Sequence, residues 1–355
     1  MEVRATLAYE KLHQIGVGEG CNSQVFLINE LQLGGVLVAK EIKKASFPSF
    51  DTYFREAKAL FASQHSNVVS IHYACGGEDF ISLVMPYFNE GSLSARICKN
   101  PLSLKELIRV SQGVLNGLHH IHLKNYVHLD IKPSNILFSD TNEPMIADFG
   151  QSGLLNQYGV VDSPTMYMFS WPPEVIQDSV ATIESDIYLM GVTLYRAING
   201  DAVFHNQRED ISDLDDLADR IVAGKFPDRN LFLPHVPKNI KKIIKKSLNV
   251  DPEKRYRSAI ELANALGNVP IPLDWQTEVY ESGEMFWKAS QGKDRADLVV
   301  ELIKVEEDLW NVNVFTDNQG NRRKKTSHCR EMLNRRDAET HLGETFSVLA
   351  ALGTT

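Results

Sequence analysis

The hydrophobic pattern of the chain changes from strand-like to helix-like near residues 89–94, and this change limits the folds that the sequence can adopt. Before it, short apolar stretches such as QVFLINEL, GVLVAKEI and DFISLVMPY are separated by turns that contain glycine or asparagine, which is typical of β-strands. After it, apolar residues recur at helical spacing in SLKELIRVSQGVLNGLHHIHLKN, ESDIYLMGVTLYRAING and SAIELANALG. We therefore predict a β-rich lobe followed by a helical lobe.

One helix is predicted inside the β-rich lobe, over the stretch FDTYFREAKALFASQ. Phe54, Ala57, Leu60 and Phe61 recur there at helical spacing, which predicts that they share a buried face.

Size and composition exclude several classes of protein. The 355 residues exceed the usual size of one domain, so we expect two or three. A formal charge of −9 argues against a chain built mainly to coat nucleic acid or an anionic membrane. The sequence has no apolar run near the roughly 18 residues of a membrane-spanning helix, no signal-peptide core at its start, and four scattered cysteines. We expect a reduced, cytoplasmic protein without a membrane segment.

Polar side chains that suit polyphosphate chemistry are concentrated in two short motifs. The stretch YVHLDIKPSN contains Asp130, Lys132 and Asn135, and the following IADFG contains Asp148. Carboxylate and amide oxygens are ligands of Mg²⁺, and an ammonium neutralises phosphate charge. This spacing indicates a site that holds metal ions against a polyphosphate.

Three further features upstream fit such a site. VGEGCNSQVF has Gly18 and Gly20, whose missing Cβ atoms let backbone N–H groups approach phosphate oxygens. Lys40 follows on the next predicted strand, and Glu56 on the predicted helix could hold its ammonium. Taken singly, the glycines fit a hairpin turn and the two charges fit a solvated surface. Their order along the chain favours the functional interpretation.

Together these motifs resemble those of the eukaryotic-type protein kinase family, from about Tyr9 to Leu266. Eight motifs occur in the family's order: VGEGCNSQV, VAK, REAKAL, HLDIKPSN, ADFG, PPE, SDIYLMG and DPEKR. The resemblance implies an α+β, bilobal fold over residues 9–266, with a β-rich N-lobe over about 9–88 and a helical C-lobe over about 89–266.

The resemblance also assigns roles to the polar residues. Asp130 would orient the substrate hydroxyl and accept its proton, and Lys132 would offset charge on the transferring phosphoryl group. Lys40, held by Glu56, would bind the phosphates of ATP. Asn135 and Asp148 would ligate Mg²⁺.

The remaining implied positions line the nucleotide pocket and join the lobes. The pocket residues are Val17, Gly18, Gly20, Ser23, Val25, Ala39, Lys40, Met85, Phe88 and Leu137. Because Pro86 has no N–H, a hydrogen bond to adenine would come from Phe88. An apolar column that aligns the lobes would consist of Leu60, Ile71, His128 and Phe149, anchored by Asp186.

The sequence departs from the family pattern at three positions. Ser23 replaces the third glycine of the loop, which implies only a modest loosening of phosphate contact. Leu129 replaces the arginine that normally pairs with a phosphorylated residue. We therefore expect no switching by activation-segment phosphorylation. Thr165 lies further upstream of PPE than the family's usual threonine, so substrate docking is expected to be unusual.

Two questions about activity stay open in the sequence. The form DIKPSN is typical of serine/threonine kinases, although tyrosine or dual specificity is the alternative. A kinase-shaped scaffold without activity is the second alternative, but a scaffold has no need to retain Lys40, Glu56, Asp130, Asn135 and Asp148 together.

The rest of the chain is predicted to be a linker and a small accessory module. VPIPLDW falls in a linker over residues 267–275, and residues 276–355 predict a β-β-β-α module. Its strands are predicted at GEMFWKAS, ADLVVELIKV and LWNVNVFT, and its closing helix over TSHCREMLNRRDAETHLGETFSVLAAL. Residues 321–336 contain seven Arg or Lys and one Glu, but residues 268–355 contain 11 basic and 15 acidic residues. This balance favours a protein-binding or regulatory module over a nucleic-acid-binding one.

One charged run in the helical lobe has two interpretations. REDISDLDDLADR, at residues 208–220, fits the solvated start of a helix, and it could also attract a basic substrate.

Overall fold

The structure is a computed structural model that describes residues 7–16, 23–32, 34–46, 54–164, 171–292 and 295–352. Its first lobe contains an antiparallel sheet and one helix: β1 (Tyr9–Ile15), β2 (Ser23–Glu30), β3 (Gly35–Lys43), α1 (Arg55–Ala62), β4 (Tyr73–Gly76) and β5 (Phe80–Pro86). The strand order is β1-β2-β3-β5-β4, which places β3 at the centre of the sheet.

Helix α1 buries a narrower face than the sequence predicts. Ala57 and Leu60 are buried and Phe54 packs beside the sheet, but 67% of the Phe61 surface is exposed. The eight-residue helix contacts its surroundings through residues 56, 57, 59 and 60. Residue 61 lies about 100° around the axis from Leu60, outside that face.

The second lobe is mainly helical. Its elements are α2 (Leu93–Ile97), α3 (Leu104–Leu123), β6 (Tyr126–Val127), β7 (Ile136–Phe138), β8 (Pro144–Ile146), β9 (Gly153–Leu154), β10 (Val161–Asp162), α4 (Pro173–Asp178), β11 (Val180–Ala181), α5 (Ile183–Asn199), α6 (Asp201–Asn206), α7 (Leu214–Val222), α8 (Lys238–Ser247) and α9 (Ala259–Gly267). The predicted order along the chain, a β-rich lobe followed by a helical lobe, is confirmed.

Side-chain caps define the starts of the two long central helices. Ser103 Oγ accepts from the Glu106 N–H at the start of α3, and Thr182 forms a capping box at the start of α5. Short strand pairs, β6 with β9 and β7 with β8, connect the loops between these helices. The helices therefore form a rigid base from which the loops project.

The C-terminal part forms one more antiparallel sheet, covered by a helix. Its elements are β12 (Gln276–Val279), β13 (Met285–Ala289), β14 (Asp297–Glu306), β15 (Leu309–Asn318), β16 (Asn321–Lys324), β17 (Arg330–Leu333) and α10 (Arg335–Leu352). The sheet has six strands, whereas the sequence predicted three, which correspond to β13, β14 and β15. The other three strands have four residues each and few buried side chains, so they lack the alternation that indicates a strand. Residues 326–333, predicted as helix, form a 3₁₀ turn and β17.

The predicted linker is packed against the helical lobe. Leu273 and Trp275 are buried, and Asp274 accepts hydrogen bonds from Ser103 Oγ at 3.0 Å and from the Lys105 N–H at 2.9 Å. Phe346 of α10 contacts Trp275, with ring centroids 5.0 Å apart. The C-terminal module therefore shares a buried apolar cluster with the helical lobe.

No helix in the described ranges is both long enough and apolar enough to cross a bilayer.

Candidate active site

The loop between β6 and β7 brings Asp130, Lys132 and Asn135 together. Asn135 Nδ2 donates to the Asp130 carbonyl at 2.9 Å and to Asp130 Oδ2 at 2.7 Å. Lys132 Nζ donates to the same Oδ2 at 2.8 Å. Asp130 Oδ1 is buried and has no hydrogen-bond partner among the described residues. Because buried polar atoms are normally hydrogen-bonded, this oxygen is available for a ligand hydroxyl.

Burial changes the proton affinity of the Asp130 carboxyl. Loss of water contact raises its pKa, and the nearby Lys132 ammonium opposes that rise. A raised pKa makes the ionised carboxylate a stronger proton acceptor.

Lys40 links the two lobes through two carboxylates. Its Nζ lies 2.8 Å from Glu56 Oε1 on α1 and 2.6 Å from Asp148 Oδ1 in the second lobe. Burial lowers the pKa of Lys40, but the charges of Asp148 and Glu56 outweigh burial and raise it. Enclosure in the cleft raises the pKa of Asp148, but the Lys40 ammonium outweighs it and lowers that pKa to about 2. Lys40 and Asp148 are therefore both charged at neutral pH.

Gly150 lies close to the side chains of Lys40, Glu56 and Asp148. A Cβ on Gly150 would lie 3.1 Å from Asp148 Oδ1, 3.5 Å from Lys40 Nζ and 3.7 Å from Glu56 Oε2. The Gly150 N–H also donates to Asp148 Oδ1 at 3.1 Å. A methyl group at residue 150 would therefore press on Asp148 Oδ1 and make ordinary contacts with Lys40 and Glu56, so the absence of a side chain keeps the Asp148 carboxylate free of this crowding.

The residues of the predicted apolar column meet between the lobes. Leu60 and Phe149 are buried in the main core and Ile71 packs against it. The rings of His128 and Phe149 are 4.8 Å apart. Asp186, at the start of α5, accepts from the His128 N–H at 2.8 Å and the Leu129 N–H at 2.7 Å. Helix α5 thus holds the backbone of the loop that carries Asp130.

Most of the predicted pocket residues in the described ranges lie on strands of both lobes. Ala39 is buried on β3 opposite Val84 of β5, while Val25 on β2 is half-buried opposite Lys40. Leu137 is half-buried on β7 and bridges to Ser92.

Three other predicted pocket residues lie at the start of β2, near the end of β5 and just after β5. Ser23 begins β2, Met85 lies near the end of β5, and the Phe88 carbonyl accepts from the Gly91 N–H at 3.3 Å. Val17, Gly18 and Gly20 lie outside the described residues, as does Thr165.

The oxygen atoms of Asn135 and Asp148 fit a hard divalent cation. Lys40 Nζ and the Gly150 N–H both donate to Asp148 Oδ1, so Oδ2 stays available for a ligand among the residues that the structure describes. Asn135 donates through Nδ2, and its Oδ1 has only a 3.5 Å contact from Ser134 Oγ. Mg²⁺ typically binds one or two carboxylates and takes its other ligands from phosphates and water. Within the described ranges, no three His, Cys, Asp or Glu side chains form a separate metal site.

A buried ion pair that the sequence interpretation missed fixes the end of the activation segment, the stretch from Asp148 to Glu174. Arg255 Nη1 and Nη2 donate to Glu174 Oε1 and Oε2 at 2.8 Å and 2.7 Å. The Arg255 side chain is fully buried. Both residues stand in motifs of the sequence, PPE and DPEKR, but nothing in their spacing indicates that they pair.

A second residue that the sequence interpretation missed supports, from α3, the loop that carries Asp130. His122 Nε2 lies 2.8 Å from Asp186 Oδ2, and both side chains are buried. Three histidines occur near the end of α3, and the sequence has no signal that distinguishes this one.

Known proteins resemble this chain over the same region. Residues 9–265 match the sequence profile of the protein kinase domain. The chain is 28% identical over 260 residues to the serine/threonine-protein kinase PrkC of Bacillus subtilis, covering 72% of this chain and 39% of that protein. It is 27% identical over 257 residues to the probable serine/threonine-protein kinase PknB of Lactococcus lactis, covering 69% of this chain and 40% of that protein.

A plant relative shows a similar likeness. The chain is 26% identical over 248 residues to the CBL-interacting serine/threonine-protein kinase 20 of Arabidopsis thaliana, covering 68% of this chain and 54% of that protein. The matched region thus spans about two fifths of the two bacterial relatives and about half of the plant one. Since the protein kinase profile covers most of the chain and the motifs meet in one site, the chain belongs to the protein kinase family.

Proposed function

We propose that this protein is an ATP-dependent protein kinase that phosphorylates serine and threonine hydroxyls of protein substrates. The observation that carries the proposal is Lys40, which contacts Glu56 and Asp148 at once and so joins both lobes around the oriented Asp130. An arrangement of this kind places a phosphate-binding ammonium, a metal-binding carboxylate and a proton acceptor in one cleft.

Each polar residue has a defined task in phosphoryl transfer. ATP would supply the phosphoryl group, and the Mg²⁺ bound with it would offset the negative charge of the phosphates. Asp130 Oδ1 would accept a hydrogen bond from the substrate hydroxyl and take its proton. Lys132, held beside Asp130, would face the developing charge, and Asn135 and Asp148 would hold the cation.

Serine/threonine specificity is favoured by two observations. Lys132 stands two residues after Asp130 and donates to its carboxylate, in the form DIKPSN that is typical of serine/threonine kinases. The similar proteins from B. subtilis, L. lactis and A. thaliana carry that specificity in their names.

Apolar contacts support an activation segment that needs no phosphate. Leu129 is 1% exposed and packs with Val127, Val175 and Ala181, with Trp171 against the same cluster. Strands β10 and β11 pair within this region, and the Ser163 N–H donates to the Ser179 carbonyl at 2.7 Å. Leu129 stands where the family usually has an arginine that pairs with a phosphorylated residue of the activation segment. Hydrophobic burial thus substitutes for a phosphate–arginine pair in our proposal.

The test of activity is transfer of labelled phosphate from ATP and Mg²⁺ to a generic basic protein. We expect label on serine or threonine, and loss of it in Asp130→Ala and Asp148→Ala. Asp140→Ala, a change at an exposed turn, is the matched control and should retain activity. Label on tyrosine would refute the specificity, and no label from folded wild-type protein would favour the scaffold alternative.

The regulatory part is tested separately with a phosphatase. Wild-type protein, stripped of phosphate and checked by mass spectrometry, should keep its initial rate. A loss of rate that rephosphorylation restores would contradict an activation segment held by apolar contacts.

A further inference from the structure

A surface groove lies between α6 and α7, in the second lobe. Its volume is about 400 Å³, within the range of roughly 300–1,000 Å³ that is typical of ligand pockets. Ile211, Leu214 and Leu217 line it. Leu214 is 39% exposed, although leucine is normally an interior residue. Leu214 therefore presents apolar surface to solvent in the groove, whereas Leu217 is buried and Ile211 is partly buried.

The rim of the groove is acidic. Glu209 and Asp213 line it, and residues 208–220 contain six acidic and two basic residues. Some of these carboxylates are used within the protein: Asp213 Oδ1 accepts from the Asp216 N–H at 2.9 Å, and Asp216 pairs with Arg220 at 2.8 Å. Glu209 is exposed. Two basic residues, His205 and Arg208, also line the groove, but the local balance of charge remains negative.

The groove is connected to the end of the activation segment. Helix α7 packs against α4, which carries Glu174. A segment bound in the groove would thus contact α7, which packs against the helix that carries the end of the activation segment.

Charge and shape restrict what can bind. The negative rim disfavours nucleic acids, phosphorylated segments and acidic peptides. The open apolar wall favours a side chain that gains by leaving water. Both requirements are met by a short protein segment that combines lysine or arginine with leucine-like residues.

We propose that the groove between α6 and α7 docks a basic segment of the protein substrate, anchored by an apolar side chain against Leu214. This inference rests on the proposed kinase function and adds a substrate class to it. Docking outside the site of phosphoryl transfer would raise the local concentration of the acceptor hydroxyl, which lowers KM.

Direct binding tests the groove without any requirement for activity. The full chain is titrated into a fluorescein-labelled peptide of alternating leucine and lysine, and anisotropy is recorded. Glu209→Lys and Leu214→Gln should each weaken binding about fivefold, and salt should weaken the wild-type interaction. Glu307→Lys, an equal charge change on the exposed turn between β14 and β15, should bind like wild type. No loss in the groove variants, or the same loss in Glu307→Lys, would overturn the proposal.

Kinetics then test whether docking serves phosphorylation. Two peptides share one acceptor sequence, and only one carries the leucine–lysine segment. The longer peptide should have a KM about fivefold lower, and this advantage should vanish in Glu209→Lys but not in Glu307→Lys. An advantage that survives in Glu209→Lys would overturn the proposal. If neither peptide is phosphorylated, the kinase function fails, and the anisotropy result still decides whether the groove binds the basic segment.

Discussion

Leu129 and Asp148, both in the second lobe, have positive φ angles of 63° and 62°. This left-handed region is disfavoured for residues with a Cβ and costs roughly 1–3 kcal/mol per residue. Contacts fix both residues there: the Leu129 N–H donates to Asp186, and Asp148 Oδ1 accepts from Lys40 and the Gly150 N–H. The strain thus occurs where backbone direction determines how Asp130 and Asp148 face each other.

Replacing Lys40 should greatly slow phosphoryl transfer and leave the fold intact. Lys40→Met removes the ammonium between Glu56 and Asp148, and we expect phosphoryl transfer to fall at least about a hundredfold, because removing one electrostatic stabiliser typically costs that much. The measurement is the initial rate of labelled phosphate transfer, with circular dichroism as the check on folding. Lys43→Met, at the exposed end of β3, is the control. A Lys40→Met rate close to wild type would exclude the assigned role.

Shortening Leu129 should loosen the activation segment. Leu129→Ala leaves a cavity in the cluster with Val127, Val175 and Ala181, and we expect a loss of about 2–5 kcal/mol in the free energy of unfolding. Urea denaturation measures the loss, and limited proteolysis should cut residues 150–164 sooner. The control is Leu123→Ala, because 67% of the Leu123 surface is exposed. Equal effects of the two substitutions would contradict the importance of the cluster.

Helix α3 approaches the rest of the protein so closely that two glycines are needed on its surface. A Cβ on Gly113 would clash with Pro144 Cγ, and one on Gly117 would lie 2.7 Å from the Asn67 carbonyl oxygen. Asn67 Nδ2 in turn donates to the Pro144 carbonyl at 2.9 Å. This contact joins α3, β8 and the loop after α1, and so fixes the helix that carries Glu56 relative to the catalytic loop.

Two glycine substitutions should therefore have opposite effects on stability. Gly117→Ala drives a methyl group against the Asn67 backbone and should destabilise the protein, although alanine is the better helix former. Gly343→Ala in α10 meets no atom within 4 Å and should stabilise it by up to about 1 kcal/mol. The midpoint of urea denaturation measures the change in stability in both variants. Stabilisation by Gly117→Ala would contradict a close approach of α3 to the Asn67 backbone.

At the scale of the whole molecule, a buried histidine holds the C-terminal module on the helical lobe. His235 lies in the loop before α8 and accepts from Trp287 Nε1 through Nδ1 at 2.9 Å. Its Nε2 lies 3.4 Å from Thr277 Oγ1. Burial, assisted by the charge of Lys241, lowers the pKa of His235 to about 3. The ring is neutral in the folded protein, and protonation would place a hydrogen on the nitrogen that faces Trp287.

Acid should consequently weaken the whole structure. In the unfolded chain His235 takes up a proton near pH 6.5, so its contribution to stability is complete above that pH and decreases as the pH falls toward 3. Between about pH 7 and pH 5 the loss from this residue is roughly 2 kcal/mol. Urea unfolding at the two pH values should show a smaller decrease for His235→Gln than for wild type, whereas His13→Gln, at an exposed site, should behave like wild type. Equal pH dependence in all three proteins would refute the role of His235.

The sequence alone determined the parts of this protein that depend on local pattern. Hydrophobic periodicity indicates the β-rich and helical lobes, because a residue's place on a strand or helix follows from its spacing. The candidate site residues, such as Asp130 and Asn135, could be proposed from the sequence because the chemistry expected of them dictates both residue type and order along the chain. Contacts between distant segments left no such pattern, since any buried carboxylate can pair with any nearby arginine.

Tertiary structure alone decided which distant residues meet. It pairs Glu174 with Arg255, places Leu129 in an apolar cluster, and seats the C-terminal sheet on His235. The short strands β12, β16 and β17 also belong to this class, because four mostly exposed residues become a strand only when a longer neighbour such as β15 offers its hydrogen-bonding groups. Packing and hydrogen bonding between segments are properties of the folded chain, and their energy depends on neighbours that the local sequence does not specify.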